Sequence, residues 1–458
     1  MIAIRKDGGW AWCILLSVIC CQTILGGVIF SSGIFYVIFK EALNSDPVVI
    51  SWLCSLPMTM WYFACPFGSV ITNRFGCRKC AFIGGIMAAA GLILGFFAES
   101  IEYLFFTHGL LTGFGLGLNY IACMAVMNIY FDKYKTIATG IASTGHNIGL
   151  IVYTQLMNNL QENYSWRGML FILGALSFNL CTCSTAMFPL KSGKVSMINE
   201  VKEIQSNTVK KKENVNLSLF RKLSFVSFCS SNIFTNLSLG IFILHLPSYS
   251  KEVGFTEQTF GTVLMVFGVT TFVGKIVYSL LGQHPRLDET TLYTFSLTAT
   301  GVCIFLIPVL LTETGMLTLS GLVGFFYSVT GALLQAVIFK IVGYDRFADG
   351  VGLSLPFKAA GNLIGGPLAG VLLTITGKYT FSFYLSGICM TVASFLMFLP
   401  LLSHRRRDRR ENNKNFNTVY EMNISNDKEQ ANGLYAANGA LKPTFKPSLG
   451  DEECDRML

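Results

Sequence analysis

Apolar residues in this chain gather into long unbroken runs, and polar, glycine-rich and basic residues collect between them. Each run is close to the roughly 20 residues that an α-helix needs to cross a hydrocarbon core. A membrane β-barrel would instead show short segments of alternating polarity. Runs at roughly 10–36, 48–72, 80–98, 103–127, 135–157 and 168–188 predict six membrane helices. After a polar stretch, runs at roughly 223–246, 258–281, 291–311, 316–341, 352–376 and 379–402 predict six more. The first run is too long for a signal-peptide core and lacks a small-residue cleavage site, so it is expected to stay as a helix. The expected organisation is a six-helix half (1–188), a central loop (189–222), a second six-helix half (223–402) and a tail (403–458).

Composition agrees that lipid is the main solvent: of 458 residues 52% are hydrophobic and 13% charged, with mean hydropathy +0.53, against about 25% charged in a soluble domain. The 14 cysteines lie mostly inside the apolar runs, as with Cys20, Cys21, Cys123, Cys181 and Cys303, so no disulfide framework is expected. Charge sets the orientation, because basic loops stay in the cytoplasm. With the N-terminus inside, inner segments hold 28 of the 34 Lys and Arg residues, and the outer loops hold only Lys40, Arg167, Lys251 and Lys378. Both termini are therefore expected to be cytoplasmic. The tail opens with Arg405, Arg406, Arg407, Arg409 and Arg410 and continues Asn-rich, a composition that cannot bury a core, so disorder is expected there. Its basic opening suits either an anionic-lipid contact or a topology anchor.

Three motifs narrow the reading. Between the second and third runs stands Asn73-Arg74-Phe75-Gly76-Cys77-Arg78-Lys79, a basic turn with glycine where the chain must reverse. It resembles the cytoplasmic turn of the major facilitator superfamily, with Asn73 in place of the usual Asp and Ser69 in place of the usual Gly. Asp7-Gly8-Gly9-Trp10-Ala11-Trp12 opens the first run, and Tyr130-Phe131-Asp132-Lys133 leads into Ala138-Thr139-Gly140-Ile141-Ala142-Ser143-Thr144-Gly145-His146-Asn147-Ile148-Gly149. Both resemble the two signatures of the monocarboxylate transporter family, and the similarity runs through nearly all the membrane portion. Phe39-Lys40-Glu41 and Gly365-Gly366-Pro367-Leu368-Ala369-Gly370 add support. The resemblance implies an all-α, major-facilitator-type fold of 12 transmembrane helices in two pseudo-symmetric six-helix halves. It also implies a gate on the cytoplasmic side that includes Asn73, Arg74, Arg78 and Lys133. Independently of family, Gly145/Gly149 and Gly361/Gly365 put small residues four apart on a helix face, which permits close packing and is what two related halves would leave in sequence.

Charges within the spans carry the functional signal, since each is costly in lipid. Lys275 lies in the eighth span, where a substrate carboxylate is its expected partner. By resemblance it holds the place of the family's substrate-pairing arginine, keeping the charge without the bidentate fork. Lys358, in the eleventh span, suits either an anion or an extension of its head towards the cytoplasm. His146 titrates near neutrality and suits a proton shuttle or a helix-packing hydrogen bond. Thr271, Asn147, Asn119 and Tyr120 complete the candidate substrate contacts, with Asn232, Asn236 and Gln335 as further cavity residues. Proton-coupled relatives use a lysine late in the first helix and an aspartate four residues before the eighth-helix base; Gly33 and Thr271 hold those places here. No Asp or Glu lies in the middle of any span.

These features point to a plasma-membrane secondary transporter for a small organic anion such as a monocarboxylate, not necessarily proton-coupled. A carrier of a neutral, zwitterionic or aromatic amino-acid-like solute and a transport-dead sensor or scaffold are the alternatives. An enzyme is disfavoured, because the acids and histidines lack metal-ligand or Ser/His/Asp spacing and no phosphate-binding glycine loop is present. No cofactor, metal or nucleic-acid partner is expected. Some members of the family travel with a single-span glycoprotein escort. The sequon Asn163-Tyr164-Ser165 lies too close to the expected membrane surface to predict modification.

Overall fold

A computed structural model describes residues 7–43, 45–132, 134–187, 217–255, 257–284, 287–310, 312–343, 347–398 and 400. Most of the central loop, the tail from 401 and Lys133 lie outside the described residues. Among those described, the regular elements are all helical.

α1 covers Gly9–Phe30 and, after a break at Ser31, continues as Ser32–Leu43. α2 is Pro47–Phe75, α3 Cys77–Gly95 and α4 Ile101–Tyr130. α5 and α6 run together through Lys135–Ser177, with Asn179–Thr185 continuing the latter, and separate at Ser165, whose φ of 59° breaks the helix. In the second half α7 is Leu223–Glu252, α8 Glu257–Leu281 and α9 Glu289–Leu306. α10 is Glu313–Tyr327, resumed at Val329–Ala332 and Leu334–Val342; α11 is Phe347–Thr376 and α12 Thr380–Phe398. Ten stretches are long and apolar enough to cross a membrane, one of them the fused α5–α6 pair. With that pair divided at Ser165 and the 18-residue α9 added, each expected span has its helix.

The packing repeats at an interval of six helices. α1 packs on α5 and α2 on α4; correspondingly α7 packs on α11 and α8 on α10. The paired glycines make this closeness possible. A Cβ on Gly145 would stand 2.7 Å from the Ile19 carbonyl oxygen, and one on Gly365 would stand 2.5 Å from that of Leu237. Gly149 and Gly361 meet the backbone of α1 and α7 in the same way. With no hydrophobic drive between helices in lipid, such backbone-to-backbone contact supplies the dispersion that holds each half together. The halves meet through α2 with α11, through α5 with α8 and through α1 with α7. The first two contacts exchange under the same six-helix shift, as a two-fold axis between the halves requires.

Prolines sit inside α2 (Pro57, Pro66), α7 (Pro247) and α11 (Pro356, Pro367). They are tolerated because neighbouring helices take up the freed backbone groups. α4 contains a π-helical segment, Phe105–Thr112, where the Thr112 hydroxyl donates to the Thr107 carbonyl at 3.0 Å. The α2–α3 turn has the glycine its reversal needs: Gly76 adopts φ 90°, and its N–H donates to Thr72 O at 2.9 Å. The end of the bundle with this turn, Arg74, Arg78 and Lys79 is called the basic end below; the opposite one is the far end.

Candidate functional site

Lys275 sits six residues before the last residue of α8, about 9 Å along the axis. Its stem rests on α10, where a Cβ on Gly331 would stand 3.0 Å from Lys275 Cε. Its ammonium crosses the seam to α5, donating to Asn147 Oδ1 at 2.8 Å and to Ser143 O at 3.3 Å. Asn147 is held in turn by α8, its amide donating to Gly268 O at 3.2 Å. Both partners of the cation are neutral, so the charge itself is uncompensated by them.

His146 lies between those two α5 residues. Its Nδ1 is 3.1 Å from Ser143 O, and its Nε2 is buried without a partner. The imidazole belongs to a cluster of rings from four helices. Phe30, Trp61 and Tyr120 have ring centroids 6.2, 5.9 and 6.0 Å from it, and Trp61 stacks on Tyr62 at 4.6 Å. Trp61 Nε1 and both amide atoms of Gln22, whose Cβ lies beside Gly145, are buried without partners. Unmet polar atoms in a protein interior are uncommon and mark a place where water or a ligand completes the structure. Tyr62 OH donates to Asn236 Oδ1 of α7 at 3.4 Å, linking the ring cluster to the second half.

Lys358 is half-buried on α11. One turn further along that helix Asn362 donates to Ser55 O at 3.0 Å and to Thr59 Oγ1 at 3.3 Å on α2. Residues four apart share a helix face, so Lys358 lies on the face that Asn362 turns to α2.

The remaining sequence candidates fall elsewhere. Asn119 is buried and turned onto α3, its amide donating to Ala81 O at 3.0 Å while its carbonyl accepts from Cys123 Sγ at 3.5 Å. Thr271 is spent between α8 and α10, donating to Phe267 O at 2.6 Å and Gly324 O at 3.2 Å. Asn232 bonds within α7, to Phe228 O, and Gln335 is exposed. Tyr120 joins the ring cluster. Asn73, Arg74 and Arg78 are exposed at the basic turn, where Arg74 lies over its neighbour Phe75 at 5.6 Å.

The two signature stretches dock on one another. Asp7 N–H donates to Tyr130 O at 3.0 Å, and Asp7 Oδ1 accepts from the N–H of Asp132 at 3.3 Å and of Tyr134 at 3.5 Å. Trp12 packs edge-on against Phe131 at 5.6 Å. The first signature and the start of the second thus build a clasp that ties the start of α1 to the α4–α5 turn, while the later part of the second supplies Ser143 and Asn147 to Lys275.

At the far end a second network joins the halves; the sequence marked Phe39-Lys40-Glu41 and Lys251 but gave no sign of their partners across the seam. Lys40 Nζ donates to Tyr379 OH at 2.9 Å, Tyr36 OH is 3.4 Å from the same hydroxyl, and Glu252 accepts from Tyr379 N–H at 3.1 Å. Lys251 pairs with Glu41, and the fully buried His245 ring sits 4.8 Å from Tyr36 and 5.5 Å from Tyr379. Gly33 lies in this seam: a Cβ there would overlap Ile243 O and stand 2.9 Å from Pro247 Cγ.

Twelve helices in six-helix repeats, with an uncompensated lysine on the seam, can be set beside known proteins. The sequence profile of the Major Facilitator Superfamily matches residues 18–353 and 228–446. Monocarboxylate transporter 4 of Gallus gallus is 31% identical over 400 residues, covering 86% of this chain and 83% of its own. The chain belongs to the monocarboxylate transporter family of the major facilitator superfamily. Monocarboxylate transporter 13 of Bos taurus is 29% identical (86% and 90% covered), and monocarboxylate transporter 12 of Homo sapiens is 29% identical (88% and 82% covered). A solved peptide transporter, POT, in complex with alafosfalin superposes with TM-score 0.68 at 12% identity, covering 86% of this chain and 95% of that one, which shows the shared fold. The chain is thus a multi-pass membrane protein of a transporter family and not an enzyme. Within the monocarboxylate transporter family the close contact at Gly33 explains one departure: in this conformation a lysine at that place would have no room. Thr271 likewise fills its site with two hydrogen bonds to backbone, leaving no carboxylate beside Lys275.

Proposed function

We propose that this member of the family is a secondary transporter that moves a small carboxylate-bearing organic anion across the plasma membrane by alternating access. The observation that carries the reading is Lys275, a cation on the seam between the halves whose two hydrogen-bond partners are neutral. An arriving carboxylate would give it the opposite charge it lacks, turning an ion–dipole contact into an ion pair. Competition for Lys275 would remove its ties to Asn147 and Ser143, leaving the Asn147 amide on Gly268 O, and so weaken the hold of α8 on α5, coupling binding to movement of one half against the other.

The Lys and Arg asymmetry supports an orientation with both termini in the cytoplasm and the basic end facing inward. Under that orientation the Lys40–Tyr379–Glu252 and Lys251–Glu41 contacts close the outer side, so this conformation would receive solute from the cytoplasm. With no acid inside any span, transport is uncoupled from protons and proceeds by facilitated diffusion or exchange. The ring cluster around His146 favours a second reading, a zwitterionic aromatic solute. That reading requires an anionic partner for the solute's ammonium, which no span supplies, and so stands behind the anion. Uptake by proteoliposomes of labelled monocarboxylates, aromatic amino acids and small zwitterions, for wild type and Lys275→Ala, tests the choice. Carboxylate uptake that is lost with Lys275 supports the reading, and uptake that survives the substitution refutes it.

A further inference from the structure

Lys358 has a property Lys275 does not: among the described residues its ammonium has no hydrogen-bond or ion-pair partner at all. The residue is half-buried and its ammonium is not among the buried polar atoms, so it opens onto accessible space, but that space is not the water beyond the start of α11. Lys358 lies eleven residues into α11, about 16 Å along the axis, whereas its stem reaches only about 6 Å. Nor is it turned to lipid, because it shares a face with Asn362, whose amide is bonded across the seam to Ser55 and Thr59 of α2. The region between the halves therefore holds two lysines, one on α8 bonded to α5 and one on the face of α11 that Asn362 turns to α2. Neither has an acidic partner among the described residues, and no Asp or Glu occupies the middle of a span.

A single carboxylate can neutralise one of these charges and leaves the other unpaired when the cavity closes and sheds its water, where an isolated ion is strongly disfavoured. We propose that Lys358 is a second anion-binding point of the transport cavity, so that the preferred solutes carry two anionic groups, one for Lys275 and one for Lys358, as an α,ω-dicarboxylate does. The proposal rests on the organic-anion reading above and adds to it a class of solute and a residue that sets specificity. Lys275, tethered by Asn147 and Ser143, offers a fixed contact; Lys358, untethered, adapts to the length of the solute.

The experiment uses the purified full chain in detergent and in proteoliposomes. Succinate, glutarate and adipate are compared with butyrate, valerate and hexanoate, matched in carbon number, by ligand-induced shift of Tm and by competition with uptake of the bound compound. The proposal expects at least one dicarboxylate to bind ten-fold or more tightly than its monocarboxylate match. It expects Lys358→Gln to bring that dicarboxylate down to the level of the match, and Lys358→Arg to restore part of the difference. Size-exclusion profiles and unliganded Tm of both variants establish that they fold. Equal binding of matched pairs by wild type overturns the proposal and leaves the organic-anion reading standing. So does Lys358→Gln weakening both series by the same factor. Failure of the folded wild type to bind or carry any member of either series overturns both.

Discussion

Gly33→Ala tests whether the α1–α7 seam holds the far end shut. The added methyl would meet the Ile243 carbonyl oxygen and Pro247 Cγ, the latter at 2.9 Å, with Pro247 Cδ at 3.0 Å. A backbone carbonyl and a proline ring inside a helix cannot swing aside as a long side chain can. Extra methyl groups in packed interiors cost about 1–3 kcal/mol. The cost falls on the conformation in which α1 and α7 touch, and is relieved when they part. Opening of the far end should therefore rise by roughly 5–150-fold. Ser51, fully buried against Gly370 on the α2–α11 seam of the same end, is the reporter. In a background with the native cysteines replaced, the alkylation rate of Ser51→Cys by a water-soluble maleimide reads the open population. The rate should rise in the Gly33→Ala protein and stay put in a Gly140→Ala control, whose Cβ meets nothing within 4 Å. An unchanged rate in a folded Gly33→Ala protein would refute the argument that this contact limits opening.

Other predictions follow from named contacts. Asn147→Leu removes the nearer acceptor of the Lys275 ammonium and should lower stability by about 1.5–3 kcal/mol, the range for hydrogen bonds to charged groups, read as a fall in Tm. Asp288 caps α9: burial raises its carboxyl pKa, but hydrogen bonds from Lys340 and Thr291 outweigh that and hold it below the usual carboxylate value. A depressed native pKa stabilises the fold above the unfolded value near 4 and is lost as pH falls through the native one. Asp288→Asn keeps a capping side chain but loses the charge that pairs with Lys340, so it should cost about 0.5 kcal/mol at pH 7, within the range for solvent-screened pairs, and the difference in Tm should shrink below pH 4. Thirteen described cysteines are free thiols; dithiothreitol should leave Tm unchanged, and a drop would reveal a bridge.

What could be read from the sequence had a one-dimensional signature. Long apolar runs gave the twelve helices, because length in lipid is set by the hydrocarbon thickness. Glycines four apart marked the α1–α5 and α7–α11 packing, and Gly76 marked its turn. Lys275 and Lys358 stood out because charge inside a span is rare. The direction of a polar side chain was not readable, since it depends on how each helix is rotated. Asn119 and Thr271 look like cavity residues in sequence but spend their polar atoms on Ala81, Phe267 and Gly324. The ring cluster left a trace that could have been followed: Trp61-Tyr62 lies in mid-span, away from the interfacial belt where such residues collect, and Gln22 interrupts an apolar run. His245, Tyr36 and Tyr379 left none, because residues more than a hundred positions apart meet only once the halves close.

Uptake driven through Lys275 tests the central claim most directly. Proteoliposomes containing the full chain would be given labelled monocarboxylates and dicarboxylates, with and without an inward proton gradient, for wild type, Lys275→Ala and Lys275→Arg. The account predicts carboxylate uptake by the wild type that ignores the gradient, is lost in Lys275→Ala and is retained at least in part by Lys275→Arg. Carboxylate uptake that persists in Lys275→Ala would contradict the role given to this lysine, and uptake driven by the gradient would contradict the inference from acid-free spans.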